Sequence, residues 1–576
     1  MSELLTAVSI IFIVMGPFLL VANRFDLPTV PFFILAGIVA GIGMDWFGID
    51  EALTLELAQY GIALLVFTFG VGIELSSVRS VLVDSETAAL GQILVVGGLG
   101  IGAGVAFGMP LSEALYLGIA AALSSTIVGT ALLQADISMD LVHGRVAESI
   151  QFLQDLLAVL LLLVLSAGVL AADPIAEMLG YGLALLIAAV LVNRFLFDAI
   201  GRLAGESSEL MILGTVSLLA LFIGAAEFAD VSIVVGAFAA GLAIRHDPIE
   251  HLGLVNGLQS IRDFFVAIFF VTIGALVVWP FVEVGWAASV DKVLIAGVLV
   301  FLTAVVKPAV TTAILLYRGY EARSATLAGL NTDQVSEFAL IIAIEALLLG
   351  ALTQSVFDAI ILAAAVTMIS SSLTNYYSDG IYRVLSDRGV LKSGHDKIDS
   401  WSEVPDDISD HVVILGYGRH GRKLVDACEE RDQPYVVVEN DPARRDKVRA
   451  ECDAVVIGDA WESYTWEKAN VGDARAVIST VETESLSRRI LQLDLEPDVV
   501  LRARDQETAV SLLEEGALYV NVPALLAGRQ LIEQIRSLLD GDLTATELRE
   551  QQLTELESYT HTPLGGSTDD TPSVRP

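Results

Sequence analysis

The chain has 576 residues, of which 54% are apolar, with a mean hydropathy of +0.66 and a net charge of −37. Such an apolar load points to a polytopic membrane protein of more than one domain, and the acidity excludes nucleic acid as a partner, because it would repel the phosphate backbone. Residues 391–576 alone hold 20 Lys and Arg against 37 Asp and Glu, an excess that keeps a soluble domain solvated in concentrated salt. A halophilic source accounts for it; so does an ordinary acidic cytosolic domain.

The two cysteines, Cys428 and Cys452, make neither a disulfide framework nor a zinc motif, which fits a reducing cytoplasm. Met-Ser-Glu at the start lacks the basic region of a signal peptide, so the first helix is expected to be retained.

About thirteen apolar segments, most of spanning length, precede residue 380. They run over 4–22, 28–46, 56–74, 87–108, 112–133, 147–170, 176–196, 210–227, 231–244, 262–282, 291–316, 323–349 and 354–376. Arg24, Arg79, Arg145, Arg194, Arg202, Arg245, Arg262, Arg318, Arg323 and Arg383 fall in or beside alternate connections. The positive-inside rule then puts the N-terminus outside and the C-terminal region in the cytoplasm. Glu74, closing the third segment near that cytoplasmic edge, suits a structural or gating role.

The fifth segment, YLGIAAALSSTIVGTALL, clusters Ser124, Ser125, Thr126, Gly129 and Thr130 near its middle. The twelfth, TLAGLNTDQVSEFALIIA, carries Asn331, Thr332, Asp333, Gln334, Ser336 and Glu337 at comparable depth. They lie seven segments apart, an odd offset that gives opposite orientations, as two inverted six-helix repeats around a linking helix would. Interrupted helices at matching places in two halves point to a transporter site; small polar residues also serve simply to pack helices closely.

Between them, QFLQDLLAVLLLLVLS (151–166) places Asp155, with Gln154 before it, in a strongly apolar run. An ionised group there costs about 2.5–3.5 kcal/mol, so it faces a cavity or a partner. A carboxylate that takes up either a proton or a cation is the minimum needed to exchange the two. The first 390 residues hold only two lysines. Lys292 sits at an outer edge, a mild exception to the charge rule. Lys307, mid-helix in VLVFLTAVVKPAVTTAILL, needs an anion, a cavity or the negative ends of half-helices.

Residues 385–410 read as a polar linker. Then HVVILGYGRHGRKLVDACEE gives a strand, a G-x-G-x-x-G turn (Gly416, Gly418, Gly421) and a helix, with Glu439 ending the next strand. The glycines admit phosphates to the helix N-terminus while Glu439 takes a ribose hydroxyl. Strand–helix alternation continues to about 540, predicting a parallel sheet, and 541–576 reads as a short helix with a disordered acidic tail.

Taken in order, GIALLVFTFGVGIEL (61–75), ALSST (122–126), QDLLA (154–158), GAFAAGLAI (236–244), FFVTIG (269–274), AVVKPAV (304–310) and QVSEFAL (334–340) resemble the Kef-type monovalent cation:proton antiporters. GYGRHGR (416–422), VVVENDP (436–442), GDA (458–460) and RARD (502–505) resemble the TrkA-N, or RCK-like, nucleotide-binding domain. The resemblance covers nearly all of residues 5–540. It implies an exchanger-type membrane domain over 1–384, with a mobile core moving against a panel that dimerises, followed by a Rossmann-like cytoplasmic domain over 411–540. The second lobe of some potassium regulators is expected to be absent.

The implied ion and proton site comprises Asp155, Gln154, Ser125, Thr126, Lys307, Asp333, Gln334 and Glu337. Gln154 stands where electrogenic sodium antiporters have a second Asp, which favours potassium. Asp333 departs from the Kef pattern and either pairs with Lys307 or adds a titrating group. The implied nucleotide site comprises Gly416, Gly418, Arg419, His420, Gly421, Glu439, Asp459 and Ala460, for NAD(H) or an adenine nucleotide as a regulatory ligand. The expected protein is a homodimeric, multi-pass plasma-membrane antiporter and no enzyme. A sodium/proton antiporter of the same build is the alternative. A nucleotide-gated channel lacks its T-V-G-Y-G filter here, and a membrane-anchored oxidoreductase lacks a substrate half.

Overall fold

The computed structural model describes residues 3–25, 27–72, 78–138, 141–165, 172–197, 208–244, 252–278, 285–391, 399–405, 407–493, 495–541 and 543–560. Two compact units result: residues 1–318 with 322–392, and residues 393–576 with Gly319–Glu321. Glu74 lies outside the described residues, as do Arg202 and Arg245.

The first unit is helical. Its helices are α1 (Glu3–Arg24), α2 (Thr29–Phe47), α3 (Glu51–Val71), α4 (Val78–Ala106), α5 (Leu111–Ala122), α6 (Thr126–Ser138), α7 (Val142–Leu165), α8 (Ala172–Leu191), α9 (Ser208–Phe228), α10 (Ile233–Leu242), α11 (Leu252–Ala275), α12 (Trp286–Phe301), α13 (Lys307–Arg318), α14 (Ala322–Leu330), α15 (Glu337–Leu348), α16 (Gln354–Tyr376) and α17 (Ser378–Asp387). Among the described residues nine helical stretches are long and apolar enough to cross a membrane. The α5/α6 pair counts as one of them, and so does the run through α12, a π-helical segment Leu302–Val306 and α13. The other four predicted segments correspond to α2, α10, α11 and the split pair α14/α15.

Both predicted interruptions are present: α5 stops at Ala122 and α6 starts at Thr126, while α14 stops at Leu330 and α15 starts at Glu337. Serine caps each restart. Ser125 Oγ accepts from Val128 N at 3.2 Å and Ser336 Oγ from Phe338 N at 3.0 Å.

An internal repeat also shows in the glycines. Helix α2 crosses α11 where Gly37 meets Gly274, and α3 crosses α10 where Gly70 meets Gly241. A Cβ on Gly37 would overlap the Val271 carbonyl, three residues before Gly274. One on Gly241 would overlap the Phe67 carbonyl, three residues before Gly70. The same interval separates Gly37 from Gly241 and Gly70 from Gly274, so one crossing maps onto the other. Without water between helices to drive association, such backbone contact is how membrane helices hold together.

Lys292, read from sequence as an exception at a membrane edge, is in fact buried and paired. Its Nζ lies 2.5 Å from Asp358 Oδ2 and donates to the Val278 carbonyl at 2.6 Å. Gln354 Nε2 donates to Asp358 Oδ1 at 2.8 Å and to the Leu276 carbonyl at 3.0 Å. The cluster ties α12 and α16 to the end of α11. Asp358→Ala would strand a buried ammonium, and removing one partner of such a pair costs about 3–5 kcal/mol. We expect the purified variant to melt well below the wild type, and Asp358→Ala with Lys292→Met to recover part of the loss. Equal melting of Asp358→Ala and wild type would contradict the pairing.

The second unit is a six-stranded parallel sheet in the order β3-β2-β1-β4-β5-β6. Its strands are β1 (His411–Leu415), β2 (Tyr435–Glu439), β3 (Val455–Ile457), β4 (Ala474–Ser479), β5 (Asp498–Arg502) and β6 (Tyr519–Asn521). That is the doubly wound order whose switch point lies between β1 and β4. Val412–Leu415 and Val436–Val438 are buried, as near-continuous apolar strands of a covered parallel sheet should be. The C-terminal part of the predicted linker belongs to this unit: Glu403 bridges to Val455, and Ile457 N donates to Ser402 Oγ. In the predicted tail, Ala545–Thr560 is a helix, and 561–576 lie outside the described residues.

Candidate functional site

A broken helix exposes carbonyls at one half's C-terminal end and amides at the other half's N-terminal end. In the first unit the two breaks are bonded to each other, so both kinds of end gather there. Ser124 Oγ donates to the Thr332 carbonyl at 3.2 Å. Gln151 Nε2 on α7 donates to Asn331 Oδ1 at 2.9 Å and to its carbonyl at 3.1 Å.

The carbonyl ends converge on Lys307. Its Nζ, fully buried, donates to the Leu123 and Gln334 carbonyls at 2.8 Å each. The same interval separates Leu123 from Gln334 and Ser125 from Ser336, so the lysine binds equivalent points of the two repeats. Of the readings the sequence allows for Lys307, an anion, a cavity or the negative ends of half-helices, the geometry realises the last. The π-helical turn Leu302–Val306 directly before Lys307 is the bulge that π turns make inside α-helices, frequently at functional sites. Gln92 of α4 backs this end: Nε2 donates to the Ala122 carbonyl at 2.8 Å, and Oε1 accepts from Thr311 Oγ1 at 2.7 Å.

The amide ends converge on two carboxylates. Asp155 of α7 accepts at Oδ2 from Thr126 Oγ1, 2.5 Å away, and its buried Oδ1 has no hydrogen-bond partner among the described residues. Glu337, first residue of α15, accepts at Oε1 from Ile127 N at 3.1 Å, capping the half-helix α6 across the crossing. Its Oε2 is likewise unpartnered. Glu337 is the charged group that acts on Asp155. Sequence reading found no second carboxylate at Gln154; the fold supplies one from the other repeat. Gln154 instead accepts at Oε1 from Ser124 N at 2.9 Å and holds the break in place.

Six predicted residues therefore assemble: Ser125, Thr126, Gln154, Asp155 and Glu337 on the amide side and Lys307 on the carbonyl side. Gln334 contributes its backbone carbonyl, and both polar side-chain atoms are buried without a hydrogen-bond partner among the described residues. Asp333 stands apart. The groups that bear on it are Ser371, Thr374 and Lys307, and it makes no ion pair with Lys307 among the described residues. Sequence reasoning missed Gln92, Gln151 and Thr311. For Gln151 a signal exists: it precedes Asp155 by four, on the same helix face.

In the second unit Gly416, at φ +88°, makes the turn after β1. A Cβ on Gly421 would overlap the Gly416 carbonyl, so that glycine serves chain packing. Gly418 differs: open space surrounds the place of its missing Cβ, and it caps the helix Arg419–Glu429 with no side-chain bond. Packing asks nothing of Gly418, while a ligand approaching the helix amides does. The residues thus fit a bound phosphate.

Glu439 is buried, accepting from Tyr417 N at 2.9 Å and Asp441 N at 3.0 Å, and burial pushes its carboxyl above the usual range. Asp459 accepts from Trp461 N at 3.0 Å beside the buried Ala460. Arg419 and His420 are largely exposed on the first turn of the helix Arg419–Glu429. Partial desolvation and the charges of Arg502, Arg419 and Lys423 lower the pKa of His420.

Residues 9–376 match the family described as sodium/hydrogen exchanger, transmembrane, and residues 412–523 match the TrkA-N domain. The putative cation/proton antiporter YbaL of Escherichia coli (strain K12) is 27% identical over 547 residues, covering 91% of this chain and 96% of its own. The putative K(+) efflux antiporter KefB of Alkalimonas amylolytica is 27% identical over 545 residues, covering 90% of this chain and 79% of its own. Among solved structures, the sodium proton antiporter MjNhaP1 from Methanocaldococcus jannaschii is similar with a TM-score of 0.46 at 14% identity, over 66% of this chain and 98% of that one.

Proposed function

The chain belongs to the transmembrane sodium/hydrogen exchanger family and carries a TrkA-N domain, and from that premise we propose a monovalent cation:proton antiporter, with K⁺ favoured over Na⁺, that acts as a carrier and not an enzyme. One observation carries the reading: Asp155, buried at a crossing of two broken helices, keeps one carboxylate oxygen open beside a second acid. A hard monovalent cation takes oxygen ligands, and Asp155, the Thr126 and Ser125 hydroxyls and Glu337 offer them. A proton on Asp155 removes the charge that holds the cation, so each occupant displaces the other. The half-helix amides stay capped by Glu337, and the carbonyl ends by Lys307, whichever is bound.

The proton leaves or enters at Asp155 Oδ1 in this scheme. Access then alternates as the helices around the crossing move against those joined at Gly37 and Gly70, with the N-terminus outside, the TrkA-N domain in the cytoplasm of a plasma-membrane homodimer, and the panel as its interface. The test is proton flux in everted vesicles: K⁺ or Na⁺ added to a preformed pH gradient should collapse it. A gradient untouched by either ion would contradict the antiporter.

NAD(H) or an adenine nucleotide is the proposed ligand of the second unit, biasing transport through unequal affinity for two states. Its phosphates would meet the amides after Gly418 and its ribose Glu439. Gly418→Val should leave the melting of the full-length protein unchanged and weaken NADH binding at least about tenfold, or 1.4 kcal/mol. Wild-type NADH affinity in that variant would remove the loop from the site.

A further inference from the structure

Four phenylalanine rings from four helices meet one turn from Asp155. Phe69 of α3 stacks on Phe238 of α10, with centroids 6.0 Å apart and an interplanar angle of 25°. On its other side Phe69 meets Phe338 of α15 edge-on at 5.3 Å and Phe152 of α7 at 6.1 Å. Rings at these separations and tilts attract one another. Phe238 and Phe338 are buried, whereas Phe69 and Phe152 keep part of their surface exposed.

The rings fall on two sides of a boundary. Phe69 precedes Gly70, and a Cβ on Gly70 would overlap the Phe238 carbonyl, so this pair is fixed at the α3–α10 crossing. Phe338 follows Glu337, and Phe152 lies three residues before Asp155 on the same face of α7. One pair thus belongs to the glycine crossing and the other to the two helices that bear the carboxylates. Phe69 joins them.

Exposure along α7 leads to the same place. Between Val142 and Asp155 its partly exposed residues are Arg145, Glu148 and Phe152, spaced three and then four apart as one stripe of a helix. The stripe is charged at Arg145 and Glu148 and turns apolar at Phe152. Asp155, next on the same stripe, is buried. An aqueous approach to the carboxylate along this face therefore ends at the rings.

We propose that Phe69 is the gate of the cation path on the Arg145 side of Asp155. Closed on Phe152 and Phe338, its ring keeps hydrated ions from the carboxylate; it parts from them when the α3–α10 crossing moves. Apolar constrictions close a path by excluding water. The proposal rests on the antiporter reading for what passes the gate, while the seal itself is measurable without transport.

The measurement uses full-length protein carrying Asp155→Cys, with Cys428→Ser and Cys452→Ser removing the native thiols. Its reaction rate with a membrane-impermeant, cationic methanethiosulfonate is read in everted and in right-side-out vesicles. Adding Phe69→Ala should speed labelling at least about fivefold, the weight of two aromatic contacts, and from one face only, the cytoplasmic face in the topology proposed above. Phe338→Ala, on a different helix, should do the same, and Phe69→Tyr, which keeps the ring, should label like the parent. The gate is overturned if both alanine variants label at the parent rate, if both faces speed up alike, or if Phe69→Tyr labels as fast as Phe69→Ala. Failure of the antiporter reading looks different: the pH gradient of wild-type vesicles would be untouched by K⁺ or Na⁺ while the one-sided labelling persists.

Discussion

Asp155→Asn is expected to abolish cation-driven collapse of a pH gradient in everted vesicles, down to the level of vesicles without the protein. The amide keeps the size of the carboxyl and can still accept from Thr126, so the crossing should assemble. What it loses is the negative charge that holds a cation and the oxygen that takes a proton. Gln154 replaces neither, because it carries no charge and its amide oxygen is taken by Ser124 N. Asp155→Glu should retain exchange at a reduced rate, since the charge survives but the longer side chain misplaces it. Glu337 provides the sharpest check. It is buried, acidic and half unpartnered like Asp155, but it caps α6, so Glu337→Gln should slow transport without erasing it. Persistent exchange in Asp155→Asn together with total loss in Glu337→Gln would transfer the carrier role to Glu337.

The sequence was readable where a residue type clashes with its surroundings. Asp155 in a leucine run and Lys307 among valines are such clashes, and so are the polar clusters that break two apolar helices. The Gly416–Gly421 turn was readable because steric need leaves glycine little alternative there. What escaped were bonds to backbone atoms and pairings far apart in the chain. Any residue can supply the Leu123 and Gln334 carbonyls that hold Lys307, so no side-chain pattern announces them. Glu337 and Ile127 meet only because two repeats cross, and Lys292 looked anomalous because Asp358 is distant in sequence. Nothing in the residues around Gly37 and Gly274 announces a crossing equivalent to that of Gly70 and Gly241.

Lys307→Met should destabilise the membrane unit strongly while leaving the chemistry of Asp155 uncoupled from it. Methionine matches the length of the lysine stem but donates nothing, so the Leu123 and Gln334 carbonyls would be left buried and unsatisfied. At about 1–3 kcal/mol each, that loss amounts to roughly 2–6 kcal/mol, aggravated by two negative half-helix ends now facing each other without a charge between them. The melting temperature of purified protein should fall accordingly. A thermodynamic cycle with Asp155→Asn then separates the two roles that a buried lysine can play. If Lys307 bridges the carbonyl ends, its loss and that of Asp155 should add to within about 0.5 kcal/mol, as independent sites do. If it were the ion-pair partner of Asp155, the second substitution would cost far less once the first was made, with a coupling of about 1–3 kcal/mol. Coupling of that size would mean that the lysine swings from the carbonyls to the carboxylate during transport. Additivity would fix it as the static brace on which the two breaks are built.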